Sequence, residues 1–345
     1  MHAGFINIDC GLSENTSYVE STIKITYVSD FGFTDTGVNR NVSAAYIANK
    51  QPYSRHFLTL RSFPDGDRNC YTLRSLTSGY KYLLRAFFMY GDYDGLNKPP
   101  IFDVYLGVDL WGKVDLTKDD KISMLEIIAF SPNDFLQALY PGGANASQSL
   151  VLLNRNNMCV SGPSPSILRY PDDPYDRLWL LYESSPEYTQ VSTALPVGHI
   201  ADDMFEAPQI VMQTALTPVK NSSSINYSWQ PNPGGINSFF TVFFFSEMKA
   251  LEANELREFN VFLNDGLLTK NEPYSPMVLT SDALLGTVGG EPEYNITLKA
   301  TERSTLPPIL NAVEVYTIVP VTQAVTDNSD GKIKLMRYFL VLKKT

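Results

Sequence analysis

The chain has 345 residues, 44% hydrophobic and 19% charged, with a formal charge of −10. This length suggests about two domains, and the apolar share can bury two cores, which excludes a disordered chain. The acidic balance argues against nucleic acid and anionic membrane surfaces, both of which call for clustered Lys and Arg; its plainest consequence is solubility.

In chain order, the first strand signal is Phe5-Ile6-Asn7-Ile8, which follows the N-terminal Met-His-Ala-Gly at once. No apolar leader precedes it, so no secretory signal is expected within this sequence. No run approaches the roughly 18 to 20 apolar residues of a membrane-spanning helix. Thr22 to Val28 alternates apolar and polar residues and predicts a strand, as does Phe102 to Val108. The turn clusters Pro64-Asp65-Gly66-Asp67, Asp94-Gly95, Pro141-Gly142-Gly143 and Pro231-Asn232-Pro233-Gly234-Gly235 separate such runs. One helix is expected, over Ser246 to Glu258, where Glu and Ala concentrate. Many short strands between Pro/Gly turns predict an all-β protein of sandwiches or barrels with a few short helices. The 20 Tyr and 19 Phe fit that class, because aromatics fill pleated, half-buried surfaces. The last stretch, Lys332 to Lys344, is basic and apolar. It reads as a frayed terminus or an artefact of gene structure, in preference to an amphipathic membrane-surface segment.

An internal repeat organises these elements. Phe102-Asp103-Val104-Tyr105-Leu106 returns as Phe259-Asn260-Val261-Phe262-Leu263, and Tyr82 to Phe88 returns as Phe239 to Phe245, both at an offset of 157 residues. A shared offset of this length predicts a duplicated domain, not a solenoid. The Pro/Gly/Asn/Ser-rich stretch Tyr140 to Gln148 is the expected boundary. It yields a first domain at 4–147, a second at 148–320 and a divergent tail at 321–345.

Chemistry-bearing residues are sparse. His2, His56 and His199 form no HExxH, and no GxSxG, P-loop or GxGxxG is present, so no catalytic residue, cofactor or metal is expected. Cys10, Cys70 and Cys159 include no CxxC pair and allow at most one internal disulfide. In a secreted chain Cys10–Cys70 is the first candidate, with Cys159 left over. Sequons at Asn15, Asn41, Asn145, Asn221, Asn226 and Asn295 point to a secreted glycoprotein, against chance in a chain rich in Asn and Ser. Asp172, Asp173 and Asp176 could suggest paired glycosidase acids. An Asp/Pro turn in which Asp176 or Arg177 makes structural hydrogen bonds is the better reading.

Longer motifs carry a resemblance. They are Gly4-Phe5-Ile6-Asn7-Ile8-Asp9-Cys10-Gly11, Phe33-Thr34-Asp35-Thr36-Gly37 with Asn41-Val42-Ser43, Arg61-Ser62-Phe63-Pro64-Asp65-Gly66-Asp67-Arg68-Asn69-Cys70-Tyr71, and Tyr90-Gly91-Asp92-Tyr93-Asp94. The second half adds Tyr170-Pro171-Asp172-Asp173-Pro174-Tyr175-Asp176-Arg177-Leu178-Trp179, Val211-Met212-Gln213-Thr214-Ala215 and Ser304-Thr305-Leu306-Pro307-Pro308-Ile309-Leu310-Asn311-Ala312. Over residues 4 to about 320 the chain resembles the malectin-like ectodomain of plant leucine-rich-repeat receptor-like Ser/Thr kinases. The resemblance implies two tandem malectin-like, jelly-roll-like β-sandwiches on the extracellular side of the plasma membrane. It implies recognition of a cell-wall saccharide or a peptide, with a co-receptor kinase as a further partner; a protein-interaction scaffold without a sugar site is the alternative, and a carbohydrate-active enzyme a remote one. No Gly-rich loop with a catalytic lysine, HRD or DFG is present, so kinase activity is not expected of this chain.

The same resemblance carries a sugar contact onto Tyr90 or Tyr93, with Asp92 and Asp94 as hydroxyl acceptors. Against it stands a tight turn on which the tyrosines pack. The second copy has Glu247-Met248-Lys249-Ala250 there, with no aromatic. Two departures are notable. After Gln137 the family continues with a Cys-Leu-Val-Asn-Thr-Gly strand and one more, where this chain runs into Ala138-Leu139-Tyr140-Pro141. An edge or gap is therefore expected in the first sandwich. The end beyond Thr326 also departs from the family pattern.

Overall fold

The computed structural model describes residues 5–344 except 49–53, 66–68, 74–75, 77–79, 108, 118–121, 131–147, 159–166, 184, 202, 220–222, 232–237, 270–271 and 322–338. The expected boundary at Tyr140 to Gln148 lies, but for its last residue, outside the described residues, as does Cys159. The described residues fall into two compact units. The first is drawn from Met1–Ala138, Asn145–Val151 and Val319–Thr345, the second from Leu139–Ala144 and Leu152–Ile318.

The chain opens with β1 (Phe5–Asp9), β2 (Ser17–Val19), β3 (Thr26–Ser29), β4 (Val38–Asn41), α1 (Ala44–Ala48) and β5 (Thr59–Ser62). It continues with β6 (Lys81–Phe88), β7 (Ile101–Leu106), β8 (Asp109–Asp115) and β9 (Ser123–Phe130). Next come β10 (Gln148–Asn157), β11 (Ile167–Leu168), β12 (Trp179–Leu181), β13 (Tyr188–Ser192), β14 (Gly198–His199), α2 (Gln209–Met212) and β15 (Thr214–Pro218). The last group is β16 (Ser224–Trp229), β17 (Ser238–Phe245), β18 (Phe259–Leu263), β19 (Gly266–Leu267), β20 (Thr280–Gly289), β21 (Tyr294–Ala300), β22 (Ala312–Pro320) and β23 (Phe339–Lys344).

In the first unit the main sheet runs β9-β6-β23-β1-β3-β2, with β4–β5 and β7–β8 as separate hairpins. Strand β6 alternates faces, as any strand does. Tyr82, Leu84, Ala86 and Phe88 join a core with Val104, Trp111 and Val114 of the β7–β8 hairpin and Ile127 and Ala129 of β9. The opposite face carries Arg85, fully buried, whose Nε and Nη2 donate to Glu126 Oε2 at 2.8 and 2.6 Å.

In the second unit the main sheet runs β14-β20-β17-β22-β10, and a second sheet, β16-β21-β18-β19, faces it. Phe239, Phe243 and Phe245 of β17 fill the space between them with Tyr227, Trp229 and Tyr294. Phe240 and Phe244 lie on the other face, where Phe244 meets Trp179 and Phe205 edge-on at centroid distances of 5.8 and 6.0 Å. The repeat holds strand by strand: Lys81–Phe88 and Ser238–Phe245 have identical length and the same 157-residue spacing.

Three expectations are corrected. The strand expected from Thr22 starts at Thr26. Thr22 and Ile23 donate their N–H groups to Glu20 Oε2 at 2.7 and 2.8 Å, and Lys24 takes φ 56°, so a side chain captures the backbone before the strand begins. No helix forms over Ser246 to Glu258. Glu247 exchanges backbone bonds with Met277 and Leu279, and its buried carboxylate accepts from Arg257 Nε at 2.6 Å. These tertiary bonds override a propensity worth only tenths of a kcal/mol per residue, ~0.7 at most for ordinary residues. The C-terminal segment, read as frayed, contributes β23, which pairs with both β1 and β6.

Phe243, with no exposed surface, tests the core of the second unit. Phe243→Ala is expected to lower its stability by about 3–5 kcal/mol in urea unfolding. A loss under about 1 kcal/mol would mean that the core collapses around the vacated volume.

Candidate functional site

Tyr90, Asp92, Tyr93 and Asp94 occupy one loop that leaves the end of β6. Gly91 and Asp92 take left-handed conformations, φ 56° and 46°. Gly91 is required, since a Cβ there would stand 2.7 Å from Val42 Cγ1. The Tyr90 hydroxyl donates to Asp94 Oδ1 and accepts from the Lys98 N–H at 3.1 Å. Asp94 Oδ1 also accepts from the Leu96 N–H at 3.1 Å, and Asp92 Oδ1 from the Asn97 N–H at 3.0 Å. Tyr93 packs edge-on against Tyr90 at 5.6 Å and against the Val42, Leu60 and Met89 cluster. Burial, reinforced by Asp94, pushes the Tyr90 hydroxyl up to about 12, which keeps it a proton donor. The Tyr90 hydroxyl, Asp92 Oδ1 and Asp94 Oδ1 thus brace the loop itself. Residues 94–98 of the loop are exposed, and the apolar one among them is Leu96, 64% exposed.

A second constellation was not foreseen. Asp9, at the end of β1, is fully buried and accepts from Tyr18 Oη at 2.8 Å and Thr59 Oγ1 at 3.1 Å. Arg55 lies 3.9 Å over the Tyr18 ring, which stacks on Tyr27, and Tyr27 stacks on His56. Burial raises the Asp9 carboxyl to about 7, against the opposing pull of the two hydroxyls and the Arg55 charge. A further carboxylate, Asp30, is held by the Arg61 fork at 2.5 and 2.7 Å and by Tyr71 Oη at 2.9 Å. Only the strand-end position of Asp9, directly after apolar Ile8, hinted at burial; Tyr18 and Thr59 meet it through pairing distant in sequence.

The Asp-rich turn of the second unit behaves as a structural motif. Asp176 accepts both arms of Arg169, at 2.8 and 2.7 Å, and the Tyr170 N–H at 3.1 Å. Asp173 Oδ2 accepts from Arg177 Nε and Trp179 Nε1, both at 2.7 Å. Arg177 also donates to the carbonyls of Phe205 and Glu206 at 2.7 Å, and Asp172 is exposed. Deeper in the same unit Arg155 Nε donates to Glu314 Oε1 at 2.6 Å and Nη2 to Tyr316 Oη at 2.9 Å. Among the described residues no group of three His, Cys, Asp or Glu could hold a metal ion.

Cys10 is buried and Cys70 exposed. The chain turns Tyr71 inward onto Asp30, which leaves its neighbour Cys70 facing solvent. Of the sequons, Asn15, Asn41 and Asn226 are exposed and Asn295 is half-buried; Asn145 and Asn221 lie outside the described residues. Asn226 and Asn295 sit on the outer face of the β16–β21 pair, alternating with buried Ile225, Tyr227, Tyr294 and Ile296.

The malectin-like domain model matches this chain twice, over residues 8–140 and 135–318. The chain belongs to the malectin-like family. A putative leucine-rich repeat receptor-like protein kinase of Arabidopsis thaliana is 35% identical over 351 residues, spanning 95% of this chain and 39% of that relative. A receptor-like protein kinase from the same plant is 34% identical over 348 residues, spanning 95% and 38%. The chain therefore covers about two fifths of the length of the curated relatives it matches. Two solved structures share the tandem malectin-like fold. The plant receptor-like kinase FER has a TM-score of 0.69 at 14% identity, covering 96% of this chain and 100% of that one. The ANX1 ectodomain from Arabidopsis thaliana has a TM-score of 0.71 at 14% identity, covering 95% and 100%.

Two outcomes test these malectin-like sites. Folding raises the Asp9 pKa from the usual carboxylate range, about 4, to about 7. The folded state thus holds this proton more tightly. The contribution is complete below about pH 4 and is lost as pH rises to about 7. Asp9→Asn is expected to flatten the fall in first-unit stability across that window, measured by denaturation at a series of pH values. Asp173→Ala leaves the Arg177 guanidinium buried beside a missing partner, and urea unfolding should show a loss of about 3–5 kcal/mol in the second unit.

Proposed function

We propose that this chain is the extracellular, ligand-perceiving region of a plant receptor-like kinase, and that it recognises a peptide. The carrying observation is the loop after β6. The Tyr90 hydroxyl and one oxygen of each carboxylate brace the loop, and among its exposed residues 94–98 the apolar side chain is Leu96, 64% exposed. A saccharide site needs hydroxyl acceptors facing the ligand, whereas a peptide site needs an apolar anchor on a stiff scaffold. The kinship with receptor-like kinases over nearly the whole chain supports the receptor setting. So does the exposure of the sequons at Asn15, Asn41 and Asn226, which fits a glycosylated outer surface. A structure with TM-score 0.66 at 15% identity, covering 96% of this chain and 97% of that one, is the plant peptide RALF23 in complex with FER and LLG2. That arrangement supports a peptide together with a co-receptor as the partners of this chain. Among the described residues no helix is long and apolar enough to cross a membrane. Membrane attachment and the kinase reaction belong, in this reading, to other parts of such a receptor.

The test is binding of the secreted, glycosylated protein to two panels, cell-wall oligosaccharides and secreted plant peptides. The expected result is saturable peptide binding that weakens at least tenfold in Leu96→Asp, with no saturable oligosaccharide binding. Oligosaccharide binding that survives Leu96→Asp and is lost in Tyr93→Ala would overturn the peptide reading in favour of a sugar site. Tyr90→Phe, which keeps the ring, separates loss of the loop brace from loss of a contact.

A further inference from the structure

The two units use the same sheet order with strands of different origin. In the second unit the order is β20-β17-β22-β10, with β22 antiparallel to β17. In the first it is β9-β6-β23-β1, with β23 antiparallel to β6. Strands β6 and β17 are counterparts at the 157-residue offset, and Ser123 and Thr280 begin β9 and β20 at that same offset. After β20 the chain supplies β21 and then β22, which takes the place beside β17. Among the described residues the next strand after β9 is β10, whose Leu150 and Val151 pair with Ile128 and Ile127 on the far side of β9. The place beside β6 is taken by β23, from the far end of the chain.

The register is that of an interior strand. Leu342 is paired with Ile6 on one side and Leu84 on the other; Val341 stands between Asn7 and Arg85, and Leu340 is paired with Ile8. The positions opposite Leu340 on β1 and opposite Leu342 on both β1 and β6 are thus apolar, and Ile8 and Leu84 belong to the core. Strand β6 is buried on both faces, so its backbone groups on the β23 side have no access to water. Unpaired, each buried group would cost about 1–3 kcal/mol.

We propose that the first unit contains a strand-accepting slot between β1 and β6, and that the chain's own Phe339–Lys344 fills it in the role β22 plays in the second unit. The ligand class of the slot is an extended peptide with apolar residues at alternate positions, held by main-chain hydrogen bonds on both edges. The basic, apolar C-terminal segment is that peptide, held in cis.

Hydrogen exchange on the intact chain tests this. Amides of Leu340 to Lys343 are expected to exchange as slowly as those of β6, in a monomer. Rapid exchange there would overturn the proposal, and protection confined to a dimeric fraction would overturn its cis form. Val341→Pro removes a ladder donor and bends the strand. It is expected to speed exchange in β1 and β6 at least tenfold while leaving β17 unchanged, and a synthetic peptide of residues 337–345 is expected to restore protection. Unchanged exchange in β1 and β6 would sink the idea. Should the variant fail to fold, the result on the intact chain still decides.

Discussion

The central strand of each unit, β6 in the first and β17 in the second, is buried on both faces and therefore has to be paired on both edges. Neither face nor edge can fall back on water for its backbone groups. Strand β17 meets this demand with β20 and β22, and β6 with β9 and β23. The aromatic runs make the burial favourable, and the sheet order follows from the need to flank them. The covering layers then divide the labour. Apolar strands cover one face, and a set of buried arginines with carboxylate partners holds the other.

Those buried charges include Asp173 and Asp176 of the Asp-rich turn. Arg85 with Glu126, Arg155 with Glu314, Arg169 with Asp176 and Arg177 with Asp173 are each close pairs with little or no exposed side-chain surface. Desolvating two charges is costly, and the pair is tolerable when geometry is close and the remaining hydrogen-bonding sites are filled. Asp173 meets that condition through Trp179 and the Tyr175 N–H, and Arg177 through two backbone carbonyls. Carboxylates engaged in this way serve as struts. The result is a stiff scaffold whose recognition chemistry is left to its loops, the usual division in β-sandwich receptors.

Much of this was legible beforehand. The 157-residue repeat appeared in two aromatic strands, because identical strand environments select similar residues twice. The Asp-rich turn read correctly as structural, since Asp beside Pro favours turn geometry. The loop at Tyr90 to Asp94 read as a cluster because its residues are neighbours in sequence. That the Tyr90 hydroxyl meets Asp94 while Asp92 accepts from the Asn97 N–H was hidden, since the left-handed Gly91 and Asp92 that fold the loop back are conformations that periodicity does not encode. The Asp9 constellation was hidden for a different reason. Its partners Tyr18 and Thr59 arrive from other parts of the chain, and no short-range pattern ties them together. Ser246 to Glu258 misled because helix propensity is weak beside the buried Glu247–Arg257 pair.

By itself the sequence determined the all-β class, the duplication and membership of the malectin-like family. These rest on alternation, turn residues and long motifs, all properties of neighbouring residues. Tertiary structure alone decided which carboxylates are struts, that Tyr71 turns inward while Cys70 faces solvent, and that Phe339–Lys344 lies between β1 and β6. The Arg85–Glu126, Arg155–Glu314 and Tyr71–Asp30 contacts and the pairing of β23 all span long sequence separation. Local pattern is silent there, because the choice is set by which buried group would otherwise be left without a partner.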